Sequence, residues 1–272
     1  MVQVKHILQW IDSLAPFRFA ESWDNCGLQV GDPGAPVDRI LVALDPGSGV
    51  IEEAERLGCQ CIVTHHPLLF QPIKTIRTDS WPGNIIAHAL NAKINLIAAH
   101  TNLDAAREGT NAQLIQLLEL TGTEALELQT SPSGDDRYAG IGMTGDLPAP
   151  LSLDSLAARL RKALPETGIR VVGNPEKMLR RAAVCSGSGA SLIGRVLSAG
   201  ADVFITGDIK YHDAKLAEET GLALIDIGHF ASEKLILAPL AGHLRACAHS
   251  GKDELEIFVA KSERDPFRTL SE

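Results

Sequence analysis

The stretch RILVALDPGSGVIEEAERLGCQCIVT, residues Arg39–Thr64, contains the signals of a strand, a helix and a second strand in succession. Its first six residues and its last five, Gln60–Thr64, are short apolar runs typical of buried strands. Between them, Gly49–Leu57 has helical spacing, and the glycine that follows it, Gly58, is the residue that commonly ends a helix. This order predicts two neighbouring parallel strands with a helix packed on one face of the sheet.

The same alternation continues through the rest of the chain. Further strands are predicted at Ile94–Ala99, Ala139–Met143, Ile169–Val172, Arg181–Cys185, Asp202–Ile205, Leu222–Ile227 and Glu254–Val259. Helical patterns occupy Asn84–Ala92, Thr110–Leu120, Ser152–Leu164, Ser191–Ala199, Lys210–Thr220 and Ala231–Cys247. The polar segment Thr121–Arg137, which contains Pro132, is the best candidate for a boundary. We therefore predict an α/β fold of two interleaved lobes, about residues 1–128 and 129–272, with mostly parallel sheets flanked by helices.

Composition excludes several classes of protein. The chain has 272 residues, of which 25 are Lys or Arg and 34 are Asp or Glu, so its net charge of −9 argues against a nonspecific nucleic-acid binder. No apolar run approaches the ~20 residues of a membrane-spanning helix. The five cysteines are odd in number and sparse, which suits free thiols in a reducing cytoplasm better than disulfides. We therefore expect a cytoplasmic globular protein without membrane or nucleic-acid partners.

Histidines directly follow three of the predicted strands. His65 and His66 follow the strand ending at Thr64, His100 follows the strand ending at Ala99, and His229 lies two residues after Ile227. In open α/β sheets, ligands bind at this carboxyl edge of the strands. Two carboxylates lie four residues after a histidine, so the candidate metal ligands are His65, His66, His100, Asp104, His229 and Glu233. Any one of these histidines by itself is better explained as an ordinary core or loop residue.

Six donors are more than one tetrahedral zinc ion uses. Imidazole and carboxylate ligands together suit zinc, iron(II), manganese or a similar divalent ion. The number therefore fits two metals about 3.5–4 Å apart, bridged by a carboxylate and by a water that the metals convert to hydroxide. We expect two divalent ions per chain, zinc, iron, manganese or magnesium, as the cofactors.

Other polar residues near predicted strand ends have two interpretations each. The loop Ser186–Ser191 either cradles a phosphate with its backbone N–H groups or forms a tight turn that requires glycine. Asp208 and Lys210 either contact a substrate or begin a helix. In the segment SWDNCG, Asn25 and Gln29 are candidates for orienting a substrate. In the alternative, Trp23 anchors the loop in the core and Asp24 forms a local turn.

Two further residues in these regions have less support. Cys26 is the best candidate for a reactive thiol, although this rests only on its position in the SWDNCG loop. His212 either orients a metal ligand through a hydrogen bond or is simply exposed to solvent.

The motifs SWDNCGLQVGD (Ser22–Asp32), THHPLLF (Thr64–Phe70), AAHTNLDAA (Ala98–Ala106), TGDIKYHDA (Thr206–Ala214) and DIGHFASE (Asp226–Glu233) resemble those of the Nif-three-like dinuclear metal-centre family. Members of that family are often labelled GTP cyclohydrolase I type 2 homologs. The resemblance covers about residues 5–260, and it places a dimetal site between the two lobes. It also implies a homohexameric ring, a trimer of dimers, without the middle domain that longer members carry.

Two functions follow from this resemblance and from the donor set. The first is a metal-dependent hydrolase, either GTP cyclohydrolase-like or phosphohydrolase-like, that acts on a small molecule such as a nucleotide through a metal-bridging hydroxide. The second is a metal-binding scaffold or regulatory partner protein without turnover. A catalytic centre keeps open coordination positions, whereas a storage or structural centre does not need them.

Overall fold

The computed structural model describes residues 1–127, 140–165, 168–251 and 253–268. Its strands are β1 (Val2–Gln3), β2 (Gly27–Val30), β3 (Pro36–Val37), β4 (Arg39–Ala43), β5 (Cys61–Thr64), β6 (Asn95–Ala98), β7 (Thr121–Glu127), β8 (Ile141–Ser152), β9 (Arg170–Val172), β10 (Met178–Ser188), β11 (Val203–Gly207), β12 (Ala223–Asp226) and β13 (Glu256–Val259). Its helices are α1 (Val4–Leu14), α2 (Ser48–Leu57), α3 (Gly83–Asn91), α4 (Thr101–Ala105), α5 (Thr110–Leu118), α6 (Leu153–Ala163), α7 (Ile193–Ser198), α8 (Tyr211–Thr220), α9 (His229–Glu233) and α10 (Leu237–Gly251).

The chain divides into two compact units. Unit 1 contains Met1–Ala106 and Ile236–Arg264, and unit 2 contains Arg107–Leu235 and the C-terminal residues from Asp265. These bounds differ from the predicted lobes, because α10 and β13, which follow Leu235 in the chain, belong to unit 1. The predicted single helix Ala231–Cys247 is accordingly divided into α9 and α10, with a 3₁₀ turn at Lys234–Ile236 between them.

Unit 1 contains a mainly parallel sheet, as the sequence predicts. Its five strands run in the order β13-β4-β5-β6-β2, with only β2 antiparallel to its neighbour. All four residues of β5 and all four of β6 are buried, which explains why these strands are continuous apolar runs rather than alternating ones. Helix α2 packs Val50, Ile51 and Ala54 into the same core and ends at Gly58 in the left-handed conformation, with φ 66°.

Unit 2 contains a mixed sheet, and here the prediction of mostly parallel strands is wrong. Its six strands run in the order β7-β8-β10-β11-β12-β9. Only β10, β11 and β12 are parallel to one another, whereas β7, β8 and β9 join the sheet antiparallel. The carboxyl ends of the central parallel strands still meet at one edge, so the expected place for ligands is kept.

The segment predicted as a boundary begins with a strand instead. Residues Thr121–Glu127 form β7 and pair with β8, because long-range pairing outweighs the weak strand propensity of this polar sequence. Residues 128–137 of that segment, the predicted lobe boundary at 128/129 and the first residue of the predicted strand Ala139–Met143 lie outside the described residues. Within the described part of the chain, no helix is both long and apolar enough to cross a membrane.

Glu53 on α2 is buried and holds the chain that follows β13. Its carboxylate accepts hydrogen bonds from the backbone N–H groups of Lys261 and Ser262 at 2.9–3.2 Å. Burial acts to raise the pKa of Glu53, but these hydrogen bonds outweigh burial and hold its pKa below the ordinary 4.5. The ionised carboxylate therefore stabilises unit 1 above that pH, and the stabilisation is lost as the pH falls through the lowered pKa.

We expect Glu53→Gln to lower the free energy of unfolding by about 1–3 kcal/mol at pH 7, because the amide loses the charge-assisted hydrogen bonds. The measurement is urea unfolding at a series of pH values. The deficit should shrink as the pH falls below 4.5 and through the lowered pKa of Glu53, because the wild-type carboxylate is then protonated. Glu52→Gln, at the exposed neighbouring position, is the control and should change little. An equal deficit at pH 7 and at pH 3 would contradict this role.

Candidate metal centre

Three histidines of unit 1 lie together at the ends of β5 and β6. His65 and His66 directly follow β5, and His100 lies two residues after β6. One ring nitrogen of each lies within 4.8 Å of one ring nitrogen of each of the others, close enough for all three to bind one metal ion. Their ring centroids are 4.9–5.6 Å apart. The parallel register of β5 and β6 brings the two strand ends together, so the prediction from strand ends is realised in this unit.

Each of these rings is oriented by a hydrogen bond from its Nδ1–H group. His65 donates to the carbonyl oxygen of Ala99 at 2.9 Å, His66 to Asp45 at 2.9 Å and His100 to Asp24 at 3.0 Å. An oxygen acceptor on one ring nitrogen fixes the tautomer, which directs the other nitrogen towards a metal and makes it a stronger ligand. The three rings therefore present Nε2 as the metal-binding atom.

Asp24 has the largest role among these supporting residues. Its side chain is fully buried and also accepts hydrogen bonds from the N–H and hydroxyl groups of Thr101. Burial acts to raise the pKa of this carboxyl, but hydrogen bonds from His100, Thr101 and Cys26 outweigh burial and keep the pKa far below its ordinary value. Asp24 is thus a permanent anion behind His100. The sequence predicts only a local turn for Asp24, because no neighbouring residue indicates a contact with His100, which lies 76 residues away.

Asp104, the fourth predicted donor of unit 1, lies on α4. Its Oδ1 atom is 3.6 Å from Nε2 of His65, so the carboxylate lies beside the nitrogen that faces the centre. The short helix α4 begins directly after His100, which explains the spacing of four residues between these two donors. Asp104 therefore places a carboxylate next to three imidazole rings, a donor set that suits a divalent cation.

In unit 2, the predicted donors His229 and Glu233 are one helical turn apart on α9. Nε2 of His229 lies 3.1 Å from Oε2 of Glu233, and its Nδ1–H donates to Asp208 at 2.7 Å. The hydrogen bond to Glu233 raises the pKa of His229 to about 9, burial opposes this and Asp208 adds to it. An imidazole between two carboxylates marks a place where positive charge is favoured, and a divalent cation on Nε2 and Glu233 satisfies that requirement.

Asp208, expected to contact substrate or to begin a helix, orients His229 instead. It has φ 57°, a left-handed conformation that a non-glycine residue adopts only when its surroundings impose it. Asp226, which is buried, receives an ion pair from Arg170 and hydrogen bonds from the N–H groups of Ile209 and Gly228. Asp226 therefore fixes Ile209 and Gly228, which are the chain neighbours of Asp208 and His229.

The glycine-rich loop Ser186–Ser191 uses its N–H groups inside unit 2. Ser186 donates to Asn111, Gly187 to Ser232 and Gly189 to Thr206, all at 2.8–3.0 Å. Three donors that a phosphate would need are therefore already used within the unit. The second interpretation of this loop, a turn that requires glycine, fits these contacts.

Gly187 also makes room for Glu233. It has φ 64°, and a Cβ atom there would lie 2.2 Å from Oε1 of Glu233. We expect Gly187→Ala to displace this carboxylate and to weaken metal binding about tenfold or more, a loss like that for disturbed supporting groups. Metal titration with a competing chelator measures the change. Gly194→Ala is the control, since nothing lies within 4 Å of a Cβ there. Unchanged metal affinity in Gly187→Ala would exclude Glu233 as a ligand.

Comparison with known proteins identifies the family. The family profile Duf34/NIF3 (NGG1p interacting factor 3) matches residues 2–266. The chain belongs to the DUF34/NIF3 family. Two DUF34/NIF3 relatives are each named GTP cyclohydrolase 1 type 2 homolog. The one from Clostridium perfringens is 34% identical, covering 99% of this chain and 100% of the relative. The one from Streptomyces coelicolor is 36% identical, covering 98% and 94%.

A solved DUF34/NIF3 structure confirms the fold. The Bacillus cereus protein related to NIF3 superposes with a TM-score of 0.91 at 26% identity, covering 99% of both chains. The mixed α/β architecture with helices on the sheets is therefore the fold of the family. The resemblance stated from the sequence motifs is confirmed by the profile match and by this structure.

The remaining predicted polar residues of this DUF34/NIF3 chain have structural partners. Asn25 donates to the carbonyl of Leu69 at 2.7 Å, and Gln29 accepts from the N–H of Leu69 at 3.2 Å. These two side chains therefore connect the loop after Trp23 to the loop after His66. Lys210 lies at the start of α8, where its N–H donates to Asp213.

Cys26 and His212 gain no catalytic support. Burial is the main cause that raises the pKa of Cys26 to about 12, and its thiol donates to Asp24, so this sulfur stays protonated. A reactive thiol, expected from its position, is thus contradicted by its surroundings. The His212 ring is exposed and contacts Tyr211 with ring centroids 5.3 Å apart.

Proposed function

We propose that this chain is a divalent-metal-dependent hydrolase that binds two metal ions through His65, His66, His100, Asp104, His229 and Glu233. One observation carries the proposal: all four histidines donate Nδ1–H to a protein oxygen at 2.7–3.0 Å. Ordinary surface histidines have no need of such support, whereas metal-binding histidines almost always have it. The donor chemistry fits zinc, iron(II) or manganese better than magnesium, which prefers oxygen ligands.

The residues of the chain prepare the centre for a cation. Asp24, Asp45 and Asp208 each fix one imidazole ring, so the ligands are oriented before any ion arrives. Buried Glu233 and half-buried Asp104 bring the negative charge that balances a divalent ion. When bound, two such ions supply Lewis acidity and a nucleophilic water near neutral pH.

The names of the relatives support a nucleotide as the substrate. A GTP cyclohydrolase-like reaction adds water to a ring carbon and breaks a C–N bond, and a phosphohydrolase-like reaction adds water to phosphorus and breaks a P–O bond. In both, the proton of the attacking water ends on the leaving group. The same donor set suits both, so the proposal includes both reactions.

The test is a hydrolysis screen over nucleoside triphosphates and phosphoesters with protein loaded in turn with Zn, Mn, Fe or Mg. We expect turnover by the wild-type protein and its loss in His100→Ala, with His88→Ala as a control. His88 is a helix histidine that bonds Glu55. Turnover that survives in the metal-free protein would overturn the proposal.

A second function has its own support, since the family description names an interaction with the protein NGG1p. In this alternative, the chain is a metal-binding scaffold or regulatory partner without turnover. Full metal loading without hydrolysis of any substrate in the screen would favour it over the hydrolase.

The number of chains in the assembly is a separate proposal. We propose a homohexamer, a trimer of dimers. Six chains of 29.1 kDa have a total mass of about 175 kDa. Light scattering on the eluted protein measures this mass directly. A monomeric mass would contradict the hexamer and would leave the metal proposal unchanged.

A further inference from the structure

Two large aromatic side chains of unit 1 are exposed next to each other. Trp23 is 56% exposed and Phe70 is 46% exposed. Their ring centroids are 5.6 Å apart, and their planes are tilted by 55°. We call this pair the aromatic platform. Two exposed aromatic rings in contact with each other form a continuous apolar surface in water, and such surfaces are typical of binding sites.

The aromatic platform borders the three-histidine group. The ring of His100 lies 6.2 Å from Trp23 and 6.2 Å from Phe70, with interplanar angles of 75° and 70°. The same His100 ring lies 5.2 Å from the ring of His65 and 5.6 Å from that of His66, so it contacts both the aromatic platform and the other two histidines. A flat molecule that contacts either ring is therefore near His100, a candidate metal ligand.

The aromatic platform is held in place by polar contacts on both loops. Asp24, next to Trp23, is fixed to His100 and Thr101. Asn25 and Gln29 bond the backbone of Leu69, next to Phe70. These contacts order the two loops before a ligand binds, which lowers the entropy cost of binding.

We propose that the aromatic platform stacks the planar heteroaromatic ring of the substrate, a purine or a pteridine, beside the metal donors. The inference rests on the proposed hydrolase function and adds the side chains that bind the ring of the substrate. An exposed indole beside a second exposed ring suits stacking of a flat ring, whereas a quaternary ammonium is bound in a closed aromatic cage. Stacking tolerates any base, so this site selects the ring and not its substituents.

The test compares two probes, guanosine 5′-monophosphate and ribose 5-phosphate, by calorimetry on zinc-loaded protein. The probes share the phosphate and sugar and differ only in the ring. We expect Trp23→Ala to weaken binding of guanosine 5′-monophosphate about 5- to 100-fold, as loss of one stacked aromatic does, and to leave ribose 5-phosphate unaffected. Trp23→Phe should recover part of the loss, because it restores a ring. Trp81→Ala, another exposed indole, is the control and should bind like wild type.

Metal content separates failure of this inference from failure of the proposed function. We expect Trp23→Ala to keep both zinc ions and His100→Ala to lose the ion of the three-histidine group. If zinc is bound but wild type does not prefer guanosine 5′-monophosphate, the stacking proposal is overturned and the metal proposal stands. If Trp23→Ala changes the mass of the assembly and not the affinity, the aromatic platform is a subunit contact and stacking is again overturned. If wild type binds no zinc, the proposed function itself fails.

Discussion

Replacing His65 with alanine is expected to abolish metal binding by the three-histidine group of unit 1. His65 is fully buried, and the hydrogen bond from its Nδ1–H to the carbonyl of Ala99 directs Nε2 towards the other two histidines. Loss of a direct ligand should exceed the about 10–100-fold loss in affinity that follows removal of a supporting partner. Metal analysis after dialysis, together with thermal melts in the presence and absence of zinc, measures the effect.

The melts also separate loss of metal from loss of the fold. Wild-type protein should be stabilised by zinc, because a ligand that binds only the folded state raises the free energy of unfolding. The His65→Ala protein should melt cooperatively and gain less stabilisation than wild type, because only the proposed second site on His229 and Glu233 is left to bind zinc, whereas His88→Ala should behave like wild type. Since burial makes His65→Ala sensitive to misfolding, His100→Ala, whose side chain is 14% exposed, provides a second variant with the same expected result. Zinc stabilisation of both variants equal to that of wild type would remove these histidines from the ligand set.

Asp24→Asn is expected to have the next largest effect, although Asp24 is not itself a proposed ligand. The amide keeps the size of the carboxylate but removes its charge, and one of its two atoms can no longer accept the hydrogen bonds from His100 and Thr101. We expect a 10–100-fold lower metal affinity, because the His100 ring loses the partner that fixes its tautomer. We also expect about 1–3 kcal/mol less stability, because buried donors are left unsatisfied.

The control for this variant is Asp32→Asn, an exposed carboxylate of the same unit. Its metal affinity and stability should match those of the wild-type protein. An Asp24→Asn protein that is less stable but binds zinc as tightly as wild type would contradict a role of Asp24 in metal binding. Asp24 would then hold the loop without tuning the histidine.

The sequence predicts the site best where candidate ligands directly follow apolar strands. Such strands can be located in the sequence, and a parallel sheet brings their carboxyl ends to one edge. For this reason His65, His66 and His100 could be brought together before any coordinates were known. The spacing of four between His229 and Glu233 was likewise sufficient, since α9 places both on one helical face.

The parts that escaped prediction depend on contacts distant in sequence. Asp24 and Asp45 lie in loops with no local sign of the histidines that they orient. The pairing of β13 with β4 joins segments more than 200 residues apart, so no local pattern could assign α10 and β13 to unit 1. The polar sequence of β7 predicts a boundary and not a strand, because its side chains do not indicate the partner strand β8 that stabilises it.

Anomalous diffraction from crystals of the zinc-loaded protein shows which atoms bind the metal. We expect one zinc about 2.0–2.1 Å from Nε2 of His65, His66 and His100, with the Nδ1 atoms still bonded to Ala99, Asp45 and Asp24. We expect a second zinc on Nε2 of His229 and the carboxylate of Glu233. Fully loaded crystals with zinc bound only elsewhere, or through Nδ1 of these histidines, would contradict the proposed metal sites.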